Sequence, residues 1–410
     1  MPGFKDADMP YSQVKPAIRA SIITTPEQAL NVARELAQAF RVESAQRDRQ
    51  RQLPLKQLEA LFSSGLGAIT VPAAFGGAAV STALLAQIIA ILSEADAAIG
   101  QIPQNHFYAL EVLRVNGSDA QQRRFYQEVI EGVHLGNALA EFGSAAAHYR
   151  STSVLPDGDS YLLSGRKFYA TGALFADRIP TAARDAEGRE QLVFVPRHQA
   201  NLSVIDDWSG FGQRTTGSGT VIFNAVRVDG ADIVPFQSAF ERPSTVGPFA
   251  QIMHAAIDQG IARAAFSDML NFINTRARPW PDSGVERASE DPLTIDRVGQ
   301  LAARLQAGDA LLEEAGHAVD RAQRHPDAAH VATASVQVAS ARAWTTELSL
   351  AAANLLFELS GSRSALQEHN LDRHWRNART HTLHDPVRWK YPVIGNYVLN
   401  AVLPPRRGTI

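Results

Sequence analysis

The 410-residue sequence predicts an α+β protein of several domains: an N-terminal helical domain, a small central antiparallel β-barrel and a C-terminal antiparallel four-helix bundle. Two observations lead to this prediction. The hydrophobic period changes from helical to strand-like near residue 134 and becomes helical again after about residue 240. The chain is also too long for one small core. We therefore predict domains at 1–133, 134–240 and 241–410.

The N-terminal domain begins with a helix-start signature, Thr25-Pro26-Glu27-Gln28. Thr25 can cap the helix, Pro26 suits its first turn and Gln28 completes a capping box. Apolar residues then recur at helical spacing as far as Phe40. Further helices are expected at 54–64, 82–94 and 106–116.

Short strands separated by turns are expected in the central zone, at 161–163, 167–171, 192–195, 202–205 and 220–228. In the last of them the alternation slips at Asn224-Ala225, which indicates a β-bulge. This pattern is typical of a small antiparallel barrel or sandwich.

The final zone has helical patterns at 249–275, 294–324 and 328–359, each longer than an ordinary helix. A polar loop is expected at 279–292. Long helices with short connections predict an antiparallel bundle.

The composition excludes several classes of protein. A net charge of −3 gives no reason to expect nucleic acid or an anionic membrane as partner. The absence of cysteine excludes disulfides, thiolate catalysis and cysteine-ligated metal. Residues 1–13 are polar and lack the apolar core of a signal peptide, and no apolar run reaches about 18 residues. We therefore expect a cytoplasmic protein.

The standard nucleotide and hydrolase motifs are also absent from the sequence. The segment 210–215 begins like a dinucleotide-binding loop but lacks the third glycine, and it leads into a predicted strand, not a helix. There is no P-loop and no Gly-x-Ser-x-Gly motif.

Several segments nevertheless resemble the acyl-CoA dehydrogenase family, and they occur in that family's order. They are 65–72 with 75–77, 92–98, 136–141, 165–172, and 212–220 with 226–228. The resemblance extends from about residue 55 to residue 400 and implies the same fold. Dehydrogenases of this superfamily often take their catalytic glutamate from a Tyr-Glu-Gly-Thr-like segment, which this sequence lacks.

The corresponding region, 377–386, reads Asn-Ala-Arg-Thr-His-Thr-Leu-His-Asp-Pro. It resembles the flavin monooxygenase branch that contains the dibenzothiophene, sulfone and amine monooxygenases. That resemblance implies a homotetramer that receives FMNH2, or alternatively reduced FAD, from a separate flavin reductase. It also implies that O2 forms a C4a-peroxyflavin, which oxidises a small apolar substrate at sulfur or nitrogen.

Two other functions stay open. An acyl-CoA dehydrogenase or flavin oxidase would need a carboxylate near the flavin, and Glu358 and Glu368 are the only nearby C-terminal candidates. A relative without catalysis could keep the bundle as a scaffold.

His381 and His384 are the predicted catalytic residues because histidine titrates near working pH. They lie three residues apart and share a face of a helix or turn. The branch resemblance favours His384 as the residue that handles the peroxyflavin or a proton, with His381 supporting it. Two alternatives stay open: both histidines may cap a helix before Pro386, or they may bind a metal together with Asp385.

The resemblance also implies flavin contacts in the β-domain. The Asn137 amide would bind flavin or substrate, and the Thr171 hydroxyl would meet the N5 side of the flavin. If Phe168 and Tyr169 alternate along a strand, one of them can cover the flavin. The alternatives are an Asn137 amide satisfied by the backbone and a Thr171 that is only a strand former.

Two further groups complete the predicted site. In this branch a histidine and a tyrosine of one helix line the pocket, and the resemblance indicates His106 and Tyr108. The alternative for His106 is a buried histidine bonded to backbone. Arg276 or Arg278, together with Arg363 and Ser362, would bind the flavin phosphate of a neighbouring subunit. Arginines at helix ends can also simply favour the helix dipole.

Overall fold

The computed structural model describes Val14, Pro16, residues 19–141 and residues 150–410. Residues 1–13, on which the absence of a signal peptide was predicted, lie outside the described residues. Helices come first, strands follow and long helices end the chain, so the predicted fold is confirmed. No helix in these ranges is long and apolar enough to cross a membrane.

The N-terminal part is helical. Its helices are α1 (Pro26–Arg41), α2 (Ser44–Gln50), α3 (Leu55–Ser63), α4 (Thr82–Ala95), α5 (Ala97–Gln101), α6 (Gln104–Asn116) and α7 (Asp119–Glu131). The Thr25 hydroxyl accepts a hydrogen bond from Gln28 N at 3.1 Å, as predicted. The Gln28 side chain accepts from Thr24 N, one residue before the position that a capping box requires.

The central part is a seven-stranded sheet among the described residues. Its strands are β1 (Ser153–Asp157), β2 (Ser160–Lys167), β3 (Arg178–Arg184), β4 (Glu190–Pro196), β5 (Leu202–Ile205), β6 (Thr220–Val228) and β7 (Ile233–Pro235), in the order β5-β6-β2-β1-β3-β4-β7. The register between β2 and β6 shifts between Leu163 and Gly165, opposite Asn224 and Ala225, so the predicted β-bulge is confirmed.

The sheet is mixed, whereas the sequence predicted a wholly antiparallel one. Ser153 of β1 pairs in parallel with Arg184 of β3. The segment before β1 pairs in parallel with β3 as well, through Leu135 and Ala138. The chain reaches β3 by crossing over the β1–β2 hairpin, and such a crossover places β3 parallel to β1.

The C-terminal part contains α8 (Ser238–Glu241), α9 (Val246–Thr275), α10 (Pro292–Arg324), α11 (Ala328–Ser360), α12 (Asp372–His381) and α13 (Lys390–Asn400). The three long helices match the predicted segments. In place of a fourth long helix, two short helices follow: α12 packs on α9 and α11, and α13 packs on α11.

Helix α9 lies at the centre of the molecule and contacts α4, α6, α10, α11 and α12. Nearly all of its first twenty residues are buried. A second tie joins the helical and β parts: Arg178 of β3 is fully buried and donates to both carboxylate oxygens of Glu128 on α7, at 2.6 and 2.8 Å. It also lies 3.4 Å from Asp232. These contacts hold the β-domain against α7.

Candidate active site

A buried chain of hydrogen bonds joins α9, α11 and the end of α12. His381 Nδ1 lies 2.6 Å from Asp258 Oδ1, and His381 Nε2 lies 3.0 Å from His254 Nδ1. The second oxygen of Asp258 accepts from Arg342 and, at 3.1 Å, from the Thr346 hydroxyl. All five residues are buried. His381 therefore bonds to side chains and does not cap a helix through backbone carbonyls.

The surroundings of Asp258, His381 and His254 determine their protonation states. Burial alone would raise the pKa of Asp258, but the Arg342 charge and the His381 hydrogen bond outweigh it, so the pKa lies below its usual value. Burial lowers the pKa of His381, against the opposing charge of Asp258, and holds the pKa of His254 well below 6.5. At neutral pH Asp258 is thus an ionised acceptor and both histidines are neutral.

The hydrogen positions follow from those protonation states. An ionised carboxylate only accepts, so His381 donates from Nδ1 and is left with a bare Nε2. That nitrogen accepts the Nδ1–H of His254. His254 Nε2 consequently carries no hydrogen, and no group in the described ranges hydrogen-bonds to it.

His384 lies directly against this chain. Its ring centroid is 3.9 Å from that of His254, with the two planes inclined at 36°. Its side chain is 44% exposed, and its Nδ1 lies 3.3 Å from Asp385 Oδ1. The exposed imidazole is the one that an entering molecule would meet first.

The nearby carboxylates are all engaged in ion pairs. Asp385 is buried, with Lys390 Nζ 2.8 Å from Oδ2 and Arg342 Nη2 3.8 Å from Oδ1. Glu358 pairs with Arg297 at 3.1 Å on the surface, and Glu368 is 70% exposed beside His369. Neither glutamate lies at the histidines, so the described residues offer no free carboxylate base there.

The metal alternative for the histidines finds no matching geometry. The described ranges contain no group of three His, Asp or Glu side chains placed to hold one ion. Both ring nitrogens of His381 are already engaged, Nδ1 with Asp258 and Nε2 with His254.

A second polar cluster lies beyond the end of β2. Thr171 Oγ1 lies 2.7 Å from Ser218 Oγ, which in turn lies 2.6 Å from Thr216 Oγ1. The Asn137 amide donates to Tyr169 O at 3.2 Å and accepts from Leu139 N at 3.1 Å. The structure thus brings Asn137 and Thr171 to one place, with the Asn137 amide bonded to backbone at both ends.

The strand that was predicted to include Thr171 ends earlier. β2 stops at Lys167, and Tyr169 has a left-handed φ of 60°. Phe168 and Tyr169 therefore do not alternate across a strand; their rings contact each other edge to face, with centroids 4.7 Å apart. Tyr169 is 45% exposed, so it is the ring of this pair that is open to a ligand.

Two buried polar groups without partners lie where this cluster meets α12. Both the Oε1 and Nε2 atoms of Gln213 are buried and make no hydrogen bond, and neither does the buried Thr380 hydroxyl. The Gln213 backbone is held by Asn377 on α12 at 2.7 Å and by Trp208 at 2.9 Å. The φ of Gln213 is +49°, which is uncommon for a residue other than glycine.

The structure places His106 in the environment of the alternative interpretation, as a buried histidine bonded to backbone. His106 is completely buried; Nε2 donates to Gly67 O at 2.8 Å and Nδ1 accepts from Leu135 N at 3.1 Å. Burial lowers its pKa to about 4. With both ring nitrogens used, His106 connects the loop after α3 to the β-domain.

Tyr108 is buried on α6 against Phe236, with ring centroids 6.3 Å apart. Burial raises the pKa of its hydroxyl above the usual value. No group in the described ranges hydrogen-bonds that hydroxyl. The hydroxyl lies close to Gly408, whose carbonyl accepts from Gln251 of α9 at 2.8 Å.

The predicted phosphate-binding residues lie together at the opposite end of α9. Arg276, Arg278, Ser362 and Arg363 are all exposed. Arg363 donates to Arg276 O at 3.4 Å. Arg276 lies about 27 Å beyond Asp258 along α9, at ~1.5 Å per residue. The structure therefore does not bring these arginines to the histidines of the same chain.

A polar cleft lies apart from the histidines as well. It has an empty volume of about 580 Å³ and lies between the α4–α5 turn, α9, α12 and the loop at Arg214. Its walls contain the Asp268–Arg373 ion pair at 2.6 Å and a hydrogen bond between Asp268 and His374 at 2.8 Å. Its charged walls do not suit an apolar substrate.

Sequence reasoning missed His254, Asp258, Arg342, Lys390 and Gln213. One signal was available: Asp258 and Arg342 are charged residues inside apolar stretches of long helices, and a buried charge needs a partner. His254 and Gln213 carried no such signal, since their surroundings are set by other helices and loops.

The chain matches two family descriptions: "Acyl-CoA dehydrogenase, N-terminal domain" over residues 25–133 and "Acyl-CoA dehydrogenase, C-terminal domain" over residues 252–389. It is 31% identical over 391 residues to dibenzothiophene monooxygenase of Mycolicibacterium goodii, covering 92% of this chain and 94% of that one.

The chain belongs to the FMNH2-dependent monooxygenase family within the acyl-CoA dehydrogenase superfamily.

Other members of this monooxygenase family agree. A probable FMNH2-dependent monooxygenase of Pseudomonas putida, SfnC, is 29% identical and spans 94% of this chain and 98% of its own. The structure of TdsC from Paenibacillus sp. A11-2 with FMN and indole has a TM-score of 0.89 at 32% identity, covering 94% of this chain and all of that one. Methanesulfinate monooxygenase MsuC of Pseudomonas fluorescens has a TM-score of 0.86 at 27% identity, covering 93% and 99%.

Proposed function

We propose that this protein is the oxygenase of a two-component system, which takes FMNH2 from a separate flavin reductase and oxidises a small apolar substrate at sulfur or nitrogen. The observation that carries the proposal is the Asp258–His381–His254 chain ending against His384. Neutral imidazoles can move a proton near neutral pH. An α-proton abstraction would need a free carboxylate, and Asp258 and Asp385 are both tied in ion pairs.

The residues fit a flavin at the junction between the β-domain and α12. The Gln213 amide and the Thr380 hydroxyl are buried without partners, and a polar ligand would remove that cost. The exposed Tyr169 ring offers a face for a flavin ring, and Phe168 supports it. We propose that these residues hold FMN together with Asn137 and Thr171. TdsC has been crystallised with FMN, which favours FMN over FAD.

When bound, FMNH2 supplies the electrons that reduce O2, so that the net reaction is FMNH2 + O2 + substrate → FMN + oxygenated substrate + H2O. One oxygen atom enters the substrate and the other leaves as water with the two flavin hydrogens. No net proton is consumed. Any proton that a residue of the site takes up during the reaction must therefore be returned.

The roles of the chain's own residues follow. His384, exposed and packed against His254, is proposed to contact the entering molecule, and the His384–His254 pair is proposed to handle the proton; His381 and Asp258 support the pair from behind. Asn137 and Thr171 orient bound groups from the β-domain side. Tyr108 is proposed to line the pocket, because its hydroxyl has no partner in the described ranges.

The distant arginines support an oligomer. Arg276, Arg278 and Arg363, with Ser362, are too far along α9 to reach a flavin at the histidines of their own chain, so we propose that they bind the flavin phosphate of a neighbouring subunit. The last helix and the segment after it expose apolar side chains, among them Val398 at 77% and Leu399 at 83%. Such a surface fits a subunit interface and the predicted homotetramer. The cytoplasmic location stays a prediction.

The test is aerobic turnover with FMNH2 from any reductase, screened against thioethers, sulfoxides, sulfones and amines. A His384→Ala variant should lose product while retaining flavin, and His317→Ala, at an exposed histidine of α10, should not. Bleaching of bound flavin by an acyl-CoA under anaerobic conditions without a reductase would overturn the proposal in favour of a dehydrogenase.

A further inference from the structure

We propose that His254 is the catalytic proton acceptor of this site, and that Asp258, acting through His381, is a positioning residue that keeps His254 Nε2 free of hydrogen. This inference rests on the proposed function and deepens it. His254 had no predicted role in the sequence, and its assignment comes from three buried side chains on two helices.

The geometry leaves one arrangement of hydrogens. Asp258 Oδ1 lies 2.6 Å from His381 Nδ1, and His381 Nε2 lies 3.0 Å from His254 Nδ1. Because Asp258 is ionised and the histidines are neutral, His381 donates to Asp258 and His254 donates to His381. The lone pair on His254 Nε2 lies at the far end of this series of hydrogen bonds, and it is the ring nitrogen that the series leaves free to accept.

The groups around His254 show from which side a bound molecule would approach it. The groups that face His254 are Asp258 on the same helix, Arg342 of α11, His381 of α12, and His384 with Asp385 in the loop that follows. Of these, His384 lies stacked on the His254 ring and is the one open to solvent. A molecule bound against His384 therefore lies beside His254. Proton transfer gives an imidazolium whose positive charge is balanced through His381 by Asp258, and the proton returns when water forms.

Asp258→Asn provides the decisive variant. The Arg342 guanidinium and the Thr346 hydroxyl both donate to Oδ2 of Asp258. In the variant, the single remaining carbonyl oxygen must therefore stay on that side, and the amide N–H2 must face His381. His381 then accepts at Nδ1 and donates from Nε2, His254 accepts at Nδ1, and His254 Nε2 becomes a donor. One substitution thus inverts both tautomers.

Asp268→Asn is the matched control. Asp268 lies on the same helix, α9, and bonds to His374 of the same helix, α12, with Nε2 2.8 Å from Oδ2. It lies in the charged cleft, away from His254. This control carries the same chemical change without any change at the site.

The experiment has three measurements on each protein: 15N spectra of the histidine rings without flavin, FMN binding, and FMNH2-dependent oxygenation. The ring signals are assigned with His254→Gln and His381→Gln. We expect the wild type and Asp268→Asn to show His254 protonated at Nδ1 and to oxygenate normally. Asp258→Asn should show His254 protonated at Nε2, bind FMN, and lose about 100-fold or more in oxygenation rate.

A second variant covers the case in which Asp258→Asn, which leaves the buried Arg342 with only the more distant Asp385 as a carboxylate partner, does not fold. His254→Leu removes the acceptor and leaves the Asp258–Arg342 pair intact; it should bind FMN and lose oxygenation to the same extent. A wild-type spectrum with His254 protonated at Nε2 overturns the proposal, as does normal oxygenation by either variant. Failure of the proposed function looks different, because the wild type and Asp268→Asn would then be inactive as well.

Discussion

Lys390 Nζ lies 2.8 Å from Asp385 Oδ2, and both side chains are buried where the end of α12 meets α13. Lys390 also donates to Gln251 on α9 at 3.0 Å and to Thr409 O at 3.1 Å. The ammonium therefore holds the loop that carries His384, the central helix and the C-terminal segment together. This contact also keeps the Asp385 carboxylate from serving as a base.

Lys390→Met should destabilise the protein, because it leaves the buried Asp385 carboxylate with only the more distant Arg342 as a cationic partner. We expect a loss of about 3–5 kcal/mol in the free energy of unfolding, measured with urea. Adding Asp385→Asn to Lys390→Met should recover part of the loss. Lys56→Met, at an exposed lysine, should change stability by less than about 0.5 kcal/mol. Equal effects of the two lysine variants would show that the pair is not formed.

Gln213→Leu should change flavin affinity and stability in opposite directions. Removing an unpartnered buried amide leaves the flavin-free protein as stable or more stable, by up to about 1–3 kcal/mol. FMN binding should weaken by about tenfold, the loss of roughly one hydrogen bond. Thermal unfolding without flavin and fluorescence titration with FMN measure the two effects.

The chemical counterpart of that variant is FMN methylated at N3. A primary amide can pair with the imide edge of flavin by one donated and one accepted hydrogen bond, and the methyl group removes one of them. The methylated flavin should bind more weakly than FMN to wild type and to Gln300→Leu, a control at an exposed glutamine, but equally to Gln213→Leu. A penalty that is the same in every protein would remove Gln213 from the flavin site.

Arg363→Ala and Arg278→Ala should each weaken FMN binding by about 10- to 100-fold, because a charge-assisted contact to phosphate contributes about 1.5–3 kcal/mol. Riboflavin, which lacks the phosphate, should bind equally to the variants and the wild type. Arg388→Ala, at an exposed arginine without a partner in the described ranges, is the control. A parallel loss of riboflavin binding would indicate a change in folding or assembly, not a phosphate contact.

Acid should destabilise the protein through its buried histidines. The pKa of His106 is about 4 in the folded protein, against about 6.5 when unfolded. Its stabilising contribution is therefore complete above pH 6.5 and is lost as the pH falls from 6.5 to 4, by about 3 kcal/mol in total. His106→Gln should show a shallower decrease of melting temperature over this interval, and His330→Gln, at an exposed histidine, should follow the wild type.

The sequence predicted most of the fold because helical periods, capping residues and turns are local signals. It located His381 and His384 because they stand together in one short string. It could not locate His254, whose role depends on the packing of α9 against α12. It also placed Tyr169 and Thr171 in a strand that ends before them. Tyr169, two residues after β2, has a left-handed φ and accepts a hydrogen bond from Asn137, a contact that strand propensity does not predict. It could not show the backbone bonds of His106, because their partners, Gly67 and Leu135, come from distant parts of the chain.

The fully buried Arg178 affects how the molecule unfolds. One guanidinium bonds to Glu128 on a helix of the first zone, to Phe194 O in the sheet and to Asp232 beyond it. Separating the first two zones would break both hydrogen bonds from Arg178 to Glu128 and leave the guanidinium with only the more distant Asp232 as a carboxylate partner. The two zones on either side of residue 134 should therefore not unfold separately. The two zones form one cooperative unit, and heating should unfold them in a single calorimetric transition.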